Sequence, residues 1–315
     1  MKILITDYGT LTQSGDVSLD VFKKFGETVM IENIAPETLL KEVKDVDAIL
    51  CNKTRINNAV MEAAPNLKFV GLFATGYNNI DIEDARKHNI TVCNAGSYST
   101  NAVAQQTFAF ILAHFNRIAE YDALVKSGEW QKSTTFSMLG EPTDEVFGKT
   151  IGIVGYGSIG KRVADLALAF GMNVLVYNRS PRKDERVTFV SLDELLKKSD
   201  IVTVHCPLNP ESKNMFCKES FEKMKDGAFF INTSRGALVV EQDLRDELDS
   251  GRISAAVDVL RREPMTEECP LKDAPNLIIT PHTGWAPKAT RQRLINIVAE
   301  NIENYLNGTP TNVVS

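Results

Sequence analysis

Gly155, Gly157 and Gly160 stand in the spacing G-x-G-x-x-G, with Tyr156, Ser158 and Ile159 filling the variable places. An apolar run at 151–154 precedes this turn and a helix-like segment at 161–170 follows it. In that setting the spacing has a physical meaning. Gly155 permits a tight turn, Gly157 lets backbone approach a pyrophosphate, and Gly160 lets helix and strand pack closely. The pyrophosphate would rest on unpaired N–H groups at the helix start. Three further polar residues follow later apolar runs. Arg235 lies in Asn232-Thr233-Ser234-Arg235-Gly236, Glu263 precedes Pro264, and His282 follows Pro281. Each falls just past the carboxyl end of a strand-like run, where open α/β sheets place ligands. A guanidinium, a carboxylate and an imidazole beside a nicotinamide are what oxidation of a hydroxy acid at C2 requires.

The residues after the next strand bear on the choice of nucleotide. A free ribose 2′-hydroxyl usually meets Asp or Glu there, but this chain has Tyr177-Asn178-Arg179-Ser180. Asn178 carries no charge to repel a 2′-phosphate, and Arg179 or Arg182 could pair with one. This favours NADP(H). NAD(H) stays open if Asn178 binds the ribose hydroxyls and Arg179 is solvated.

Short apolar runs alternate with helix-like segments along the chain, the signature of parallel sheets covered by helices on both faces. Runs at 2–6, 48–51 and 68–73 read as strands, with helices at 36–43 and 57–64. A second series has strands at 151–154, 173–177, 201–206, 228–233, 254–259 and 277–280. The segment 99–115 reads as a helix apolar on every side, hence buried between two units. Residues 117–150 read as irregular and suited to a subunit interface. The final helix, 287–306, has no strand after it and returns to the first unit. The expected fold is therefore α/β, with two Rossmann-like, doubly wound parallel-sheet domains and a cleft between them. One is discontinuous and substrate-binding (1–98 plus 287–315). The other, 99–286, binds the dinucleotide.

Composition agrees with an enzyme of this kind. The 315 residues are 43% hydrophobic and 24% charged, enough for two cores and unlike a disordered chain. A net charge of −6 and a pI near 5.4 argue against nucleic acid as partner. Five cysteines, at 51, 93, 206, 217 and 269, show no C-x-x-C pair and suggest no metal. Cys51, Cys93 and Cys206 end apolar runs and read as core residues in a reducing compartment. No stretch has the length of a membrane span, so the expectation is a cytoplasmic protein.

Taken together the motifs resemble the D-isomer-specific 2-hydroxyacid dehydrogenase family over essentially the whole chain. The resemblance rests on 155–160, on 232–236, on Ala256-Val257-Asp258-Val259 leading to Glu263-Pro264, on Pro281-His282, and on Thr75-Gly76-Tyr77-Asn78-Asn79-Ile80-Asp81. It implies catalysis by Arg235, Glu263 and His282. His282 would exchange the proton of the substrate oxygen, Glu263 would bind its other ring nitrogen and favour the imidazolium, and Arg235 would hold the carboxylate and polarise the carbonyl. Asp258 would bind the nicotinamide carboxamide. The nucleotide would be lined by Gly155, Gly157, Ser158, Ile159, Gly160, Asn178, Arg179, Ser180, Cys206, Pro207, Thr233, Ser234, Arg235, Asp258, His282 and Gly284. Substrate would meet Ala74, Thr75, Gly76, Tyr77, Arg235, His282 and Trp285.

The Trp after the His resembles the glycerate dehydrogenase, or hydroxypyruvate reductase, branch, which often has Ala where this chain has Gly284. That branch implies D-glycerate and hydroxypyruvate, with glyoxylate also accepted, and a homodimer. Formate oxidation is disfavoured because that branch carries Gln where this chain has Glu263. The alternative is a dinucleotide-sensing, corepressor-like binding protein of the same fold. Taken singly, Glu263 could be a surface carboxylate and Asp258 a cap, and Trp285 could serve packing alone. His88, His114 and His205 read as structural.

Overall fold

The computed structural model describes residues 1–12, 15–140, 142–180 and 182–315. The chain forms two compact units. Met1–Ser99 with Trp285–Ser315 make the first, and Thr100–Gly284 make the second.

In the first unit, β1 (Lys2–Ile5), β2 (Glu27–Met30), β3 (Ala48–Cys51), β4 (Phe69–Leu72) and β5 (Thr91–Cys93) form one parallel sheet of order β2-β1-β3-β4-β5. Helices α1 (Pro36–Glu42), α2 (Asn58–Ala63) and α3 (Ile82–Lys87) alternate with the strands. Side chains on a strand point alternately to opposite faces. Ile3 and Ile5 accordingly enter one core, while Leu4 joins Leu39, Val60 and Ala85 in the other. The sequence reading missed β2 and β5. β2 is an edge strand whose four residues all keep some exposure, and β5 has three residues. Neither offers an apolar run.

In the second unit, β6 (Thr150–Val154), β7 (Asn173–Tyr177), β8 (Thr188–Phe189), β9 (Ile201–Val204), β10 (Phe229–Asn232), β11 (Ser254–Val257) and β12 (Leu277–Ile279) form a parallel sheet. Its order is β12-β11-β10-β9-β6-β7-β8, so strand order reverses between β9 and β6. Helices α4 (Thr100–Asn116), α5 (Ile118–Lys126) and α6 (Ser158–Ala169) come before β7 in the chain, apart from β6. After them come α7 (Leu192–Lys198), α8 (Lys218–Phe221) and α9 (Glu241–Asp249). Ala104, Phe108 and Ile111 of α4 share a core with Val163, Ala164 and Ala167 of α6. Leu195, Phe221 and Leu244 cover the opposite face. The apolar helix expected at 99–115 thus has a partner inside its own unit, in α6. The stretch 117–150 is more regular than expected. It contains α5 and a short 3-10 turn, Trp130–Lys132, whose side chains stay largely in solvent.

The chain then returns to the first unit in α10 (Lys288–Leu306), which buries Leu294, Ile295, Val298, Ala299 and Ile302 along one face. Trp285 and Ala286, grouped by sequence with the second unit, belong to the first. The Trp285 ring packs edge-on against Tyr98 at 6.4 Å and lies on that core. Among the described residues, no helix is long and apolar enough to cross a membrane.

Two histidines are held neutral by the second unit. His114 stacks on Phe229 at 4.1 Å, and burial lowers its pKa to about 4. Burial lowers that of His205 to about 3. Each protonates near 6.5 once unfolded. Below that pH the unfolded chain gains protons that the folded chain refuses, so stability is full above about 6.5 and falls towards pH 4. Urea denaturation should show a loss of roughly 1–2 kcal/mol per histidine between pH 7 and pH 5. A flat profile would show that neither ring is kept neutral by the fold.

Candidate active site

The carboxyl edge of the second sheet carries the expected groups in spatial order. Gly155–Gly160 follow β6, Asn178 and Arg179 follow β7, Cys206 and Pro207 follow β9, and Thr233–Arg235 follow β10. Asp258 and Glu263 come after β11, and His282 after β12. Five inter-strand spacings of ~4.8 Å separate β7 from β12. A ligand touching both ends must therefore be long, as a dinucleotide is.

The turn after β6 has room for such a ligand. Gly155 has φ +101°, and a Cβ there would stand 2.7 Å from the Cys206 nitrogen. A Cβ on Gly160 would fall 2.1 Å from the Gly155 carbonyl oxygen. On Gly157 it would meet no protein atom within 4 Å. Two glycines thus close the turn against its neighbours, and the third opens onto empty space at the start of α6. The Thr233 hydroxyl, at the end of β10, is buried with no partner among the described residues. An open cradle and an orphaned hydroxyl on one edge fit a nicotinamide dinucleotide. Tyr156 anchors the turn from below. Its hydroxyl donates to Asp184 at 2.8 Å, and its pKa is pushed up to about 12 by burial and by Asp184. Arg186 ties Asp184 to Asp165 of α6.

A cavity of about 320 Å³ extends from this turn, lined by Gly155, Gly157, Asn178, Arg179, Cys206 and Pro207 among others. Asn178 braces the cavity. It accepts from the Tyr156 N–H at 2.9 Å and donates to the Ser180 carbonyl at 2.6 Å. Arg179 is not solvated alone, because Glu211 pairs with it at 2.5 Å. Cys206 is partly buried, packing against the core of this unit while lying at the cavity wall, and burial raises its thiol pKa to about 11. Cys51 and Cys93 are fully buried, as expected.

At the other end, His282 Nδ1 meets Glu263 Oε2 at 2.7 Å, and the second Glu263 oxygen accepts from the Leu260 N–H at 2.9 Å. The carboxylate is thereby fixed, and it fixes the ring. Arg235 is partly buried and spends one N–H on the Ser234 carbonyl, while the Asn232 side chain donates to the Arg235 carbonyl oxygen. Most of its five donors remain available for an anion. The Ser234 hydroxyl donates to Val204, joining this loop to β9.

Asp258 has a role that the sequence reading did not give it. It is 3% exposed, and its carboxylate accepts from the Thr280 hydroxyl (2.5 Å), the Thr283 N–H (2.8 Å) and the Gly284 N–H (2.8 Å). Those donors tie it to the 280–284 loop. The loop needs holding, because His282 has φ 55°, a left-handed conformation that side chains disfavour. Gly284 is part of the fit, since a Cβ there would lie 2.9 Å from Asp258 Oδ2. Sequence reasoning missed this clamp and the Arg179–Glu211 pair. A carboxylate at a strand end was a visible signal for the first. For the second, a lone Glu more than 30 residues away offered none.

In the first unit, Ala74–Tyr77 follow β4. Asn94 donates to the Thr75 carbonyl at 2.8 Å, and Asn79 donates to the Thr54 carbonyl at 2.8 Å. Among the described residues, no backbone carbonyl takes the N–H groups of Thr75, Gly76 or Tyr77.

Residues 108–284 match the family described as D-isomer specific 2-hydroxyacid dehydrogenase, NAD binding domain. The chain is 39% identical to a hydroxypyruvate reductase of Blautia hydrogenotrophica, covering 100% of both chains. It is 36% identical to a glycerate dehydrogenase of Methylorubrum extorquens, over 89% of this chain and 88% of that one. Among solved structures, an acyclic imino acid reductase in complex with NADPH and D-Arg superposes with a TM-score of 0.88 at 30% identity, covering 100% of both chains.

The clamp can be tested by Asp258→Asn, which replaces one acceptor oxygen with a donor facing N–H groups. Stability should fall by about 1.5–3 kcal/mol, since bonds to a buried charged acceptor are lost. Matched urea curves measure this. An unchanged midpoint would mean that the loop holds its shape without the carboxylate.

Proposed function

Because the chain belongs to the D-isomer specific 2-hydroxyacid dehydrogenase family, we propose that it interconverts a small 2-keto acid and its D-2-hydroxy acid, with hydroxypyruvate and D-glycerate first and glyoxylate also accepted. The observation that carries this reading is the His282–Glu263 pair at 2.7 Å, on the same sheet edge as the phosphate turn. The bound nicotinamide supplies the hydride. The protein's own groups handle the carboxylate, the carbonyl oxygen and the proton. With Nδ1 committed to Glu263, the imidazole presents Nε2 to the substrate oxygen, donating a proton on reduction and accepting one on oxidation. Glu263 opposes the positive charge while the ring is protonated. The remaining N–H groups of Arg235 bind the carboxylate and draw electron density from the carbonyl. The unspent N–H groups of 75–77 support the expectation that this segment offers donors to a carboxylate.

The three-carbon substrate rests on the names of the relatives. Trp285 adds little to it, because its ring is taken up in packing on Tyr98. For the nucleotide, the neutral Asn178 and the cations Arg179 and Arg182 on one cavity rim support NADP(H), with NAD(H) also accepted. A homodimer is the proposed assembly. Support comes from the exposed apolar side chains of Ile118 (64%), Phe136 (92%) and Leu139 (89%). Large apolar side chains this exposed would lose contact with water in such an assembly.

Loss of reduced-nicotinamide absorbance on adding hydroxypyruvate or glyoxylate tests the activity. Inertness towards a panel of 2-keto acids, with nucleotide still bound, would favour a dinucleotide-binding protein. His282→Ala should lower turnover by about 10²- to 10⁴-fold with nucleotide affinity kept. Normal turnover in that variant would remove His282 as the proton carrier.

A further inference from the structure

The ion pair between Arg179 and Glu211 spans the mouth of the nucleotide cavity. Arg179 follows β7 and Glu211 follows β9, and these two strands flank β6, whose end is the phosphate turn. Arg179 Nη1 lies 2.5 Å from Glu211 Oε2, with the two side chains 68% and 69% exposed. Both residues line the cavity together with Asn178 and Arg182. Glu211 stands on a braced turn. Its N–H and that of Ser212 both donate to Asn209 Oδ1, at 3.0 and 2.9 Å. The buried Ser212 hydroxyl accepts from the Asn209 N–H and donates to the Pro207 carbonyl, each at 2.8 Å. Asn178 is uncharged, and its amide accepts from Tyr156 and donates to Ser180. The charge at this rim is therefore set by two arginines and one carboxylate.

We propose that Glu211 is a selectivity residue of the nucleotide site, occupying the guanidinium that a 2′-phosphate would use. This deepens the dinucleotide reading above and rests on it. A 2′-phosphate can pair with Arg179 only by displacing Glu211 or by sharing the guanidinium with it. In either case two anions then face each other across the rim. A nucleotide with a free 2′-hydroxyl makes no such demand and leaves the pair intact. Exposed ion pairs are weak, so the carboxylate competes with the phosphate and does not exclude it. Glu211 thus restrains a site that Asn178 and the arginines otherwise tilt towards NADP(H), and both nucleotides remain usable.

Titration calorimetry on the full chain tests this with NADPH, NADH, adenosine 2′,5′-bisphosphate and adenosine 5′-monophosphate. Glu211→Gln should tighten the two 2′-phosphorylated ligands by about fivefold to tenfold, since a like charge is removed from their path. NADH and the monophosphate should change by less than about twofold, the scale of an exposed pair. In an Arg179→Gln background the gain should vanish. Equal changes for both ligand classes, no change, or a gain that survives without Arg179 would each overturn the proposal. A loss of NADH binding would also overturn it, by showing that Glu211 only shapes its turn. Selective tightening without reduction of any keto acid would support this inference while removing the proposed activity. Failure of all four ligands to bind would remove both.

Discussion

A buried carboxylate at the end of one strand decides the shape of the loop that follows its neighbour. Asp258 follows β11, and its two oxygens take three donors from the loop after β12. That loop holds His282 in a left-handed conformation, which costs about 1–3 kcal/mol. A hydrogen bond to a charged acceptor contributes about 1.5–3 kcal/mol. Three of them outweigh the strain, so the imidazole is held where an unclamped loop would relax. Glu263 then needs only to set the ring's rotation. The order of dependence runs from the clamp to the backbone and from the backbone to the ring.

The first unit repeats the device. Asp7 follows β1, is 1% exposed, and accepts from the N–H groups of Asn52, Lys53 and Thr54 in the loop after β3. Asn79 extends the brace to the loop after β4. β1 and β3 are neighbours in the sheet, as β11 and β12 are. In parallel sheets the loops leave along one edge with unpaired N–H groups, and an aspartate one strand away is well placed to gather them. Both units thus stiffen the edge from which their polar groups project, without adding secondary structure.

The nucleotide end follows a different rule. There the side chains are exposed and charged, and Glu211 and Arg179 meet across a strand that belongs to neither. Buried anchors give fixed geometry around His282. Solvated charges at the cavity rim can give only a graded preference, in keeping with the role proposed for Glu211.

Sequence by itself determined the kinds of group and their order along the chain. The glycine spacing before α6, the apolar runs of β3, β7 and β9, and the polar residues closing β10 to β12 are local patterns, and local sterics and periodicity make them readable. Short or exposed strands such as β2, β5 and β8 left no such trace. Tertiary structure alone decided what those groups do to one another. Which loop Asp258 braces, whether Arg179 stands free or paired, and which unit receives Trp285 depend on strand order and on contacts between distant segments. Pairings of that kind are settled by packing and by the need to satisfy buried charge. Neither is written in the neighbourhood of any single residue.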